Sequence, residues 1–467
     1  MVSNREPYVH SSTSDGIACH APASGMTMAL DPVMRASGGT WIAAGTGDAD
    51  PRTVDDHDRL RVPPFDPRYT LRRVWLSKQE EYAYYYGYAN EGLWPLCHIV
   101  HVRPVFRLAD WEIYQQVNQR FADVVCEELG DDPGFVFIQD YHLALLSRLI
   151  KERRPDVIVA QFWHIPWPNP ETFRVCPQAK DLLLGLLGND ILGFHIRYHG
   201  INFLQTVDRF LEVRTDWENM SATKDGRETL VRAYPISIDF ERIQELATSR
   251  EVRERAEALR RDPRFEGMRV AVGVERMDYT KGIVERLEAV DLLLERHPEY
   301  RRRFVLLQLG PISRIKIDKY KEYNDLVYRT IVRVNDRWGD ADWQPVHLRT
   351  VLLDLAEIVS YFQASDLCIV NAIHDGMNLV AKEYVASRTD EDGVLILSRF
   401  TGSSRELKEA LLVHPYDIDE LADALHRALC LDPGEKAARM RRMREVVRRN
   451  NVYRWAGTIV QDMRRLL

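Results

Sequence analysis

Short, continuous apolar runs alternate with longer amphipathic stretches along almost the whole chain. Continuous apolar runs are typical of strands in parallel sheets that are covered on both faces. Helical patterns lie between or after these runs, as at residues 283–295 and 407–412. The predicted strands are 135–138, 157–160, 191–194, 270–273, 304–307, 367–370 and 394–397. This alternation predicts an α/β protein built from doubly wound sheets.

A change of pattern near residues 235–239 divides the chain into two halves. A predicted strand at 230–234 precedes it, and a strongly charged predicted helix at 242–260 follows it. A chain of 467 residues is also longer than one hydrophobic core usually supports. We therefore predict two Rossmann-like domains, 1–235 and 236–451, with a ligand cleft between the carboxyl ends of their strands.

The composition and net charge of the chain bear on which kinds of molecule it can bind. The chain is 45% hydrophobic and 28% charged, which is ordinary for a globular protein. Its formal net charge of −7 argues against a nucleic acid as partner. An anionic substrate would therefore have to meet a local cluster of arginines and lysines.

The cysteines and the apolar runs predict a cytoplasmic protein. The six cysteines are scattered and form no Cys-x-x-Cys pair, so neither a zinc site nor a disulfide framework is indicated. No apolar run reaches the ~18 residues of a membrane-spanning helix, and the N-terminus has no signal-peptide pattern. We expect no membrane partner.

The run 374–383 predicts an anion site. It follows the apolar run 367–370 and leads into a helical pattern. A strand, a glycine-containing turn and a helix start bring unpaired N–H groups and the positive end of the helix dipole to one point. Asp375 stands before that point and Glu383 one helical turn beyond Leu379. A phosphate cradle flanked by two carboxylates favours a nucleotide-sugar enzyme.

Arg276 and Lys281 follow the predicted strand 270–273. Both would lie at its carboxyl end, where an arginine fork and a lysine charge can stabilise a diphosphate leaving group. An ordinary solvated loop with a surface ion pair explains the same two residues equally well.

Polar and aromatic residues follow two strands of the first half. Asp140 comes directly after 135–138, where it is either a functional carboxylate or a helix N-cap. His164, between tryptophans and prolines, suits a sugar pocket, although a lone histidine is more often structural. Tyr85, Trp94 and Trp41 can stack on sugar rings, and core packing is the commoner role of such aromatics.

His195 and His199 have the i, i+4 spacing of two metal ligands on a helix. No glutamate follows the first histidine and no third ligand is evident, so we interpret them as non-metal residues.

Five motifs together resemble one known family. The segments 2–5, 140–142, 164–166, 275–282 and 374–380 with Glu383 are similar, in order and spacing, to those of the trehalose-6-phosphate synthases. These are retaining glycosyltransferases with two facing Rossmann-like domains, the GT-B architecture. The resemblance extends to the last helix, 452–467, which in this family crosses back onto the first domain. It implies an acceptor-binding domain 1–235 with 452–467 and a donor-binding domain 236–451.

The resemblance also implies roles for individual residues. Gly25 corresponds to a Gly-Gly loop over the donor diphosphate, in which this chain has Ser24 for the first glycine. The implied donor-binding residues are Gly25, Arg276, Lys281, Asp375, Gly376, Met377, Asn378, Leu379, Val380 and Glu383. The implied acceptor-binding residues are Arg5, Trp41, Tyr85, Trp94, Asp140 and Arg314, of which Arg5 and Arg314 form a phosphate clamp. The implied catalytic residues are Asp140, His164, Arg276, Lys281 and Asp375.

The reaction implied by the family is the transfer of glucose from a nucleoside-diphosphate glucose to glucose 6-phosphate. It gives trehalose 6-phosphate with retention, by a front-face route that needs no metal and no cofactor, because the nucleotide sugar is a substrate. Three alternatives stay open: glycerol 3-phosphate as acceptor, a pseudo-glycosyltransferase, and a non-catalytic sugar-phosphate sensor. The sequence leaves open the donor base and the oligomeric state, including a homo-oligomer.

Overall fold

The computed structural model describes residues 1–21 and 25–467. Contacts group them into two compact units. Unit 1 is Met1–Ile236 with Trp455–Leu467, and unit 2 is Ser237–Arg454. Each unit has its own predominantly parallel sheet.

Unit 1 contains a ten-stranded sheet and a separate hairpin. Its strands are β1 (Val2–Arg5), β2 (Val9–Thr13), β3 (Gly16–His20), β4 (Thr40–Ala44), β5 (Arg59–Val62), β6 (Tyr69–Val74), β7 (Phe135–Gln139), β8 (Ile158–Phe162), β9 (Ile191–Phe194), β10 (Arg214–Asp216), β11 (Ser221–Lys224) and β12 (Arg227–Ala233). The sheet order is β10-β11-β12-β9-β8-β7-β1-β4-β6-β5, and β2 pairs only with β3. The seven central strands, β12 to β6, are parallel. Every residue of β8 and β9 is buried, which explains their continuous apolar sequence.

The helices of unit 1 connect these strands. They are α1 (Gly25–Ser37), α2 (Lys78–Glu81), α3 (Trp94–His98), α4 (Leu108–Leu129), α5 (Leu146–Arg153), α6 (Pro170–Phe173), α7 (Ala179–Leu186) and α8 (Arg197–Phe210). A π-helix, Tyr82–Leu93, joins α2 to α3, and 3-10 helices span Asp50–Arg52 and Tyr141–Leu143.

Unit 2 contains a six-stranded, wholly parallel sheet. Its strands are β13 (Arg269–Val274), β14 (Phe304–Leu309), β15 (Val346–Arg349), β16 (Leu367–Val370), β17 (Val394–Ser398) and β18 (Leu411–Val413). The order is β15-β14-β13-β16-β17-β18. Counted from β13, this is the 3-2-1-4-5-6 order of a Rossmann sheet, which reverses direction between β13 and β16.

Helices cover both faces of the unit 2 sheet. They are α9 (Phe240–Thr248), α10 (Arg250–Arg260), α11 (Ile283–Arg296), α12 (Asp318–Trp338), α13 (Leu355–Ala364), α14 (Leu379–Ser387), α15 (Ile418–Cys430) and α16 (Pro433–Arg449). Short 3-10 helices span Pro298–Tyr300 and Gly402–Arg405. Alternate residues of β13 enter two separate cores, with Val270 and Val272 in one and Ala271 in the other.

The last helix, α17 (Val452–Arg464), packs against the sheet of unit 1 from residue 455 onward. The indole Nε1 of Trp455 donates to Tyr234 O at 3.2 Å, and its ring contacts Phe137 and Phe162. Tyr234 in turn donates its hydroxyl to Asp462 at 2.8 Å. Aromatic packing and two hydrogen bonds therefore hold this helix in place.

The seven predicted strands are confirmed to within one or two residues at each end. Two helix predictions are wrong. The segment 407–412 ends in strand β18, which pairs in parallel with β17, because so short an apolar run does not distinguish a helix from a strand. The predicted helix 242–260 is two helices. Ser249 interrupts it with an extended backbone, and its hydroxyl accepts from Val252 N to cap α10.

None of the helices in the described ranges has both the length and the apolar character needed to cross a membrane.

A buried arginine joins α11 to the ends of three strands of unit 2. Arg286 is fully buried, and its Nη1 contacts Glu275 and donates to Gln308 Oε1 at 2.7 Å. Its Nε donates to Asn371 Oδ1 at 2.9 Å. These partners belong to β14 or directly follow β13 and β16. The space is available because residue 273 is glycine, where a Cβ would lie 1.8 Å from Arg286 Nη1.

Replacing this arginine tests its structural role. Arg286→Met would leave Glu275 buried without its cation, so we expect the free energy of unfolding to fall by about 3–5 kcal/mol. The control is Arg296→Met on the same helix, whose guanidinium is 40% exposed and pairs with Asp419 and Asp423. That change should cost less than about 1 kcal/mol. Equal, small effects in urea denaturation would contradict the role of Arg286.

Candidate functional site

The sheet order of unit 2 defines where a ligand can bind. The chain leaves β13 toward one side of the sheet and β16 toward the other, which opens a crevice at the carboxyl ends of these two neighbouring strands. The loops after them are held side by side. Ile373 N donates to Thr280 O at 2.8 Å, and Asn371 Nδ2 donates to Gly282 O at 2.7 Å. Gly282 has φ +68°, and a Cβ there would lie 2.3 Å from Asn371 O, so this close approach requires glycine.

Three predicted donor-site residues meet in this crevice. Lys281 Nζ lies 2.6 Å from Asp375 Oδ2, and Asn378 Nδ2 donates to the same oxygen at 3.1 Å. The side chains of Lys281 and Asp375 are only 12% and 15% exposed. The lysine is therefore held at the carboxyl end of β16, although it follows β13.

The N-terminus of α14 lies in the same place. Asn378, with φ +69°, caps the helix by accepting from Ala381 N, so the helix begins at Leu379. The first N–H groups of a helix have no hydrogen-bond partner within the helix and lie at the positive end of its dipole. In α14 these groups belong to Leu379 and Val380. The preceding turn packs closely on its neighbour: a Cβ on Gly402 would lie 2.1 Å from Gly376 O. The turn is therefore closely packed and has the geometry that suits an anion.

Met377 contributes to this turn in a different way. Its side chain is buried in the core, and its carbonyl accepts from Ser403 N at 2.9 Å. It therefore anchors the turn to the 3-10 helix Gly402–Arg405.

Three cations, Arg314, Arg276 and Lys281, act on the buried carboxylate of Asp278. Burial alone would raise the pKa of Asp278, but the charges of Arg314, Arg276 and Lys281 outweigh it and hold the pKa below its ordinary value. Arg314 Nη1 lies 3.6 Å from Asp278 Oδ2 and donates to Tyr320 Oη at 2.5 Å. Tyr320 donates to Asp278 at 3.1 Å. Asp375 also pairs with Lys281, so three positive charges face two carboxylates. This leaves a local positive excess, which favours an anionic ligand.

Glu383 is a buried carboxylate on α14. Its residue is 9% exposed, and within the described chain its carboxylate makes no hydrogen bond or ion pair. Burial raises its pKa from 4.5 to about 7. Such a group can accept hydrogen bonds from the hydroxyl donors of a ligand.

The sheet of unit 1 also reverses direction, between β1 and β7. Arg5 ends β1, and its Nη2 donates to Tyr85 Oη at 2.8 Å. The Tyr85 ring stacks on His142, with centroids 5.5 Å apart and planes 9° apart. His142 Nδ1 lies 4.0 Å from Asp140 Oδ2, directly after β7. Arg5, Tyr85 and Asp140, which the sequence predicted for the acceptor, are thus connected through His142.

Asp140 and His164 are in contact. Asp140 has φ +74° and does not cap the 3-10 helix that follows it, so the N-cap interpretation is wrong. Its Oδ1 accepts from His164 N at 3.1 Å. Burial, together with the charge of His142, lowers the pKa of His164 to about 3. His164 is therefore neutral near pH 7, and its Nε2 lies 2.9 Å from Gln139 Oε1.

The aromatic residues divide between site and core. Trp41 is fully buried, donates to Ser3 Oγ at 2.8 Å and stacks on Tyr69. This packing corrects the expectation for Trp41, because a ring enclosed by protein cannot stack on a sugar. Trp94 is 6% exposed and contacts the ring of Tyr141, next to His142.

Two further expectations concern the first helix and a histidine pair. Gly25 is the exposed first residue of α1, whereas Ser24 lies outside the described residues.

His195 precedes α8, which begins at Arg197, so it does not share a helix face with His199. Both histidines are buried, and His195 Nε2 lies 2.9 Å from His164 O.

Several contributors were not identified from the sequence. Tyr320 lies 42 residues from Asp278, and no local spacing connects them. Arg286 had a visible signal, since it is a charged residue on the apolar stripe formed by Ile283, Leu287 and Val290. His142 lies within the motif 140–142, but no role of its own was predicted for it from the sequence.

Comparisons with known proteins show what the whole chain is similar to. Residues 1–465 match the family model described as Glycosyltransferase family 20. A relative from Mycobacterium avium named trehalose-6-phosphate synthase is 36% identical, over 99% of this chain and 94% of its own length.

Solved structures with the same fold include two with bound ligands. One, from E. coli and bound with UDP-2-fluoro glucose, has a TM-score of 0.87 and 30% identity, over 99% of this chain and 98% of that one. Another, a Burkholderia xenovorans alpha,alpha-trehalose-phosphate synthase (UDP-forming) in complex with glucose-6-phosphate, has a TM-score of 0.88 and 28% identity, over 99% of both chains.

The raised pKa of Glu383 predicts a pH-dependent stability. At low pH the carboxyl is protonated in the folded and the unfolded state, so its burial adds no ionisation cost. Above about pH 7 the folded state must ionise a buried group, while the unfolded state ionises freely above 4.5. Stability is therefore lost as the pH rises through this interval.

Glu383→Gln removes this ionisation. Relative to the unmodified chain, the variant should gain about 3 kcal/mol of unfolding free energy between about pH 4 and about pH 8, measured by urea denaturation. The control is Glu266→Gln, at an exposed position of unit 2, which should show no such gain. A flat difference for Glu383→Gln would contradict the shifted pKa.

Proposed function

The chain belongs to glycosyltransferase family 20, and we propose that it transfers glucose from a nucleoside-diphosphate glucose to glucose 6-phosphate, giving trehalose 6-phosphate. The family resemblance, the GT-B fold class and the prediction of a glycosyltransferase are confirmed by the comparisons. The observation that carries the proposal is the convergence of Arg276, Lys281 and Arg314 on Asp278, beside the N-terminus of α14. This is a diphosphate-binding arrangement.

The donor is assigned to the crevice of unit 2. Arg276, Lys281 and the backbone from Gly376 to Val380 bind the diphosphate, and the role of Gly25 stays a prediction from the family resemblance. Asp375 binds hydroxyls of the glucose, and Glu383 accepts hydrogen bonds from the ribose. Support comes from the buried acceptor at Glu383 and from the E. coli structure that holds UDP-2-fluoro glucose.

The acceptor is assigned mainly to unit 1. Arg5 binds its phosphate, while Tyr85, Trp94 and Asp140 contact its sugar; Trp41 is left out because it is enclosed in the core. The phosphate-binding role of Arg314 stays a prediction from the family resemblance. Support comes from the contacts of Arg5 with Tyr85 and of His142 with Asp140. The B. xenovorans structure with glucose-6-phosphate supports the choice of acceptor. In this proposal 1–235 with 452–467 is the acceptor-binding domain and 236–451 the donor-binding domain.

The reaction proceeds on one face of the sugar. The bond from the anomeric carbon to the phosphate oxygen breaks, the bond to the acceptor hydroxyl oxygen forms, and the departing phosphate oxygen takes the hydroxyl proton. Arg276, Lys281 and the α14 N-terminus stabilise the charge that develops on the diphosphate. This route uses neither a metal ion nor a cofactor.

The electrostatics of His164 support this route. A histidine whose pKa is lowered to about 3 is a weak base, so it is poorly suited to remove the acceptor proton. It can still accept or donate a hydrogen bond and thereby position a sugar hydroxyl. In the proposed route the departing phosphate oxygen, and not His164, takes the proton. The cytoplasm is the proposed location, and assembly into a homo-oligomer stays a prediction.

The proposed function is tested by following the release of nucleoside diphosphate. UDP-, ADP- and GDP-glucose are each combined with glucose 6-phosphate or with glycerol 3-phosphate. We expect release that depends on glucose 6-phosphate, with trehalose 6-phosphate as product. Release only with glycerol 3-phosphate would assign the chain to the glucosylglycerol branch, and donor binding without turnover would favour a sensor.

The role of Lys281 is tested by its replacement. Lys281→Met should lower turnover by about 100-fold or more, because one preorganised charge at the leaving group is lost. The control is Lys319→Met on α12, whose side chain is 58% exposed, and it should leave turnover unchanged. Circular dichroism confirms that both variants fold. Normal turnover in a folded Lys281→Met would overturn the assignment.

A further inference from the structure

We propose that His297, Glu299 and His426 form a binding site for a divalent transition metal of the zinc type in unit 2. One ligand atom from each lies within 4.8 Å of the others. Within the described residues this is the single group of three or more metal-ligating side chains that meets this distance. The residue spacing in the sequence singles out the pair His195 and His199 and gives no sign of this cluster, whose members come from two separate segments.

The cluster lies away from the donor crevice. Gly282 and Lys281 precede the first residue of α11, while His297 follows its last residue, Arg296. A helix of 14 residues is about 20 Å long. The proposed metal therefore lies at the opposite edge of the sheet from Lys281, and the proposal does not rest on the proposed function.

The distances suit a small tetrahedral metal. His297 Nδ1 lies 3.2 Å from Glu299 Oε1, close to the ~3.3 Å that separates two ligands bonded at ~2.0–2.1 Å to zinc. The rings of His297 and His426 stack with centroids 3.8 Å apart and planes 8° apart. Parallel rings do not direct their nitrogens at one point, so one ring must rotate when the metal binds. His297 is the one free to do so, because its side chain is 25% exposed.

The second histidine is already oriented. Tyr300 Oη lies 3.0 Å from His426 Nδ1, so this contact occupies Nδ1 and leaves Nε2 for a metal. Zinc-binding histidines are commonly fixed in this way by a partner on the other ring nitrogen. Tyr300 is thus a positioning residue for the site.

Cys430 is assigned as the fourth ligand, although its Sγ lies outside the group whose atoms are all within 4.8 Å of one another, so its side chain must turn toward the others when the metal binds. It lies one turn after His426 on α15, and its Sγ is 4.0 Å from His426 Nε2 and 3.4 Å from Tyr300 Oη. Two imidazoles, one carboxylate and one thiolate are all ligands that zinc accepts. The carboxylate and the thiolate would balance the charge of a divalent ion. The metal would then join the end of α11 and the 3-10 helix Pro298–Tyr300 to α15.

Metal binding is measured on the full chain after treatment with a chelator. Zinc titration by calorimetry should give one ion per chain and a rise in Tm at saturation. Cobalt should give the visible spectrum of a tetrahedral site, with a sulfur-to-cobalt charge-transfer band that identifies Cys430 as a ligand. Absence of stoichiometric binding of either metal would overturn the proposal.

Variants assign the site to these residues. His297→Ala and His426→Ala should abolish stoichiometric binding, and Tyr300→Phe should weaken it about tenfold or more. Cys430→Ser should remove the charge-transfer band. The controls are His57→Ala and Cys19→Ser, two exposed positions of unit 1, which should bind metal normally. If His426→Ala folds, as shown by circular dichroism, and still binds one ion, the metal lies elsewhere and the proposal is wrong.

Discussion

The buried guanidinium of Arg286 is the contact on which the donor crevice depends. It holds Glu275, Gln308 and Asn371, which mark the ends of three neighbouring strands. A charge buried in protein is tolerated only when its partners are fixed in place. The same contacts therefore fix the starts of the loops that carry Arg276, Lys281 and Asp375. The crevice is formed by the sheet and its buried charges before any substrate arrives.

The charges near those loops give a chain of net charge −7 a local positive excess, which the proposed binding of a diphosphate requires. Three cations converge on Asp278, and the α14 N-terminus adds the positive end of a helix dipole. Lys281 is held by Asp375, so a diphosphate must exchange with or share this contact. Before binding, the ion pair with Asp375 keeps the lysine in position.

The sequence predicted β7, β8, β9, β13, β14, β16 and β17, because strands buried on both faces carry continuous apolar runs. It did not predict other strands of the same sheets, among them β4, β6 and β15. It failed where a short run was ambiguous, as at 407–412, and where one residue, Ser249, interrupts a helix. For the site, the motifs predicted Lys281, Asp375 and Asn378 as donor-binding residues, and the structure brings these three side chains into contact. They could not distinguish Trp41 in the core from Tyr85 beside Arg5, because composition does not show what covers a ring. Tyr320 and Asp278 are 42 residues apart in the sequence, so only the folded structure shows the hydrogen bond between them.

The central claim is that a nucleoside diphosphate binds at the crevice between the ends of β13 and β16. A crystal structure of the chain with its nucleoside diphosphate and glucose 6-phosphate tests it most directly. The account predicts phosphate oxygens within hydrogen-bond distance of Arg276, Lys281 and the first N–H groups of α14, with the ribose hydroxyls on Glu383. A diphosphate bound elsewhere, with the Lys281–Asp375 contact undisturbed and Glu383 without a ligand, would contradict it.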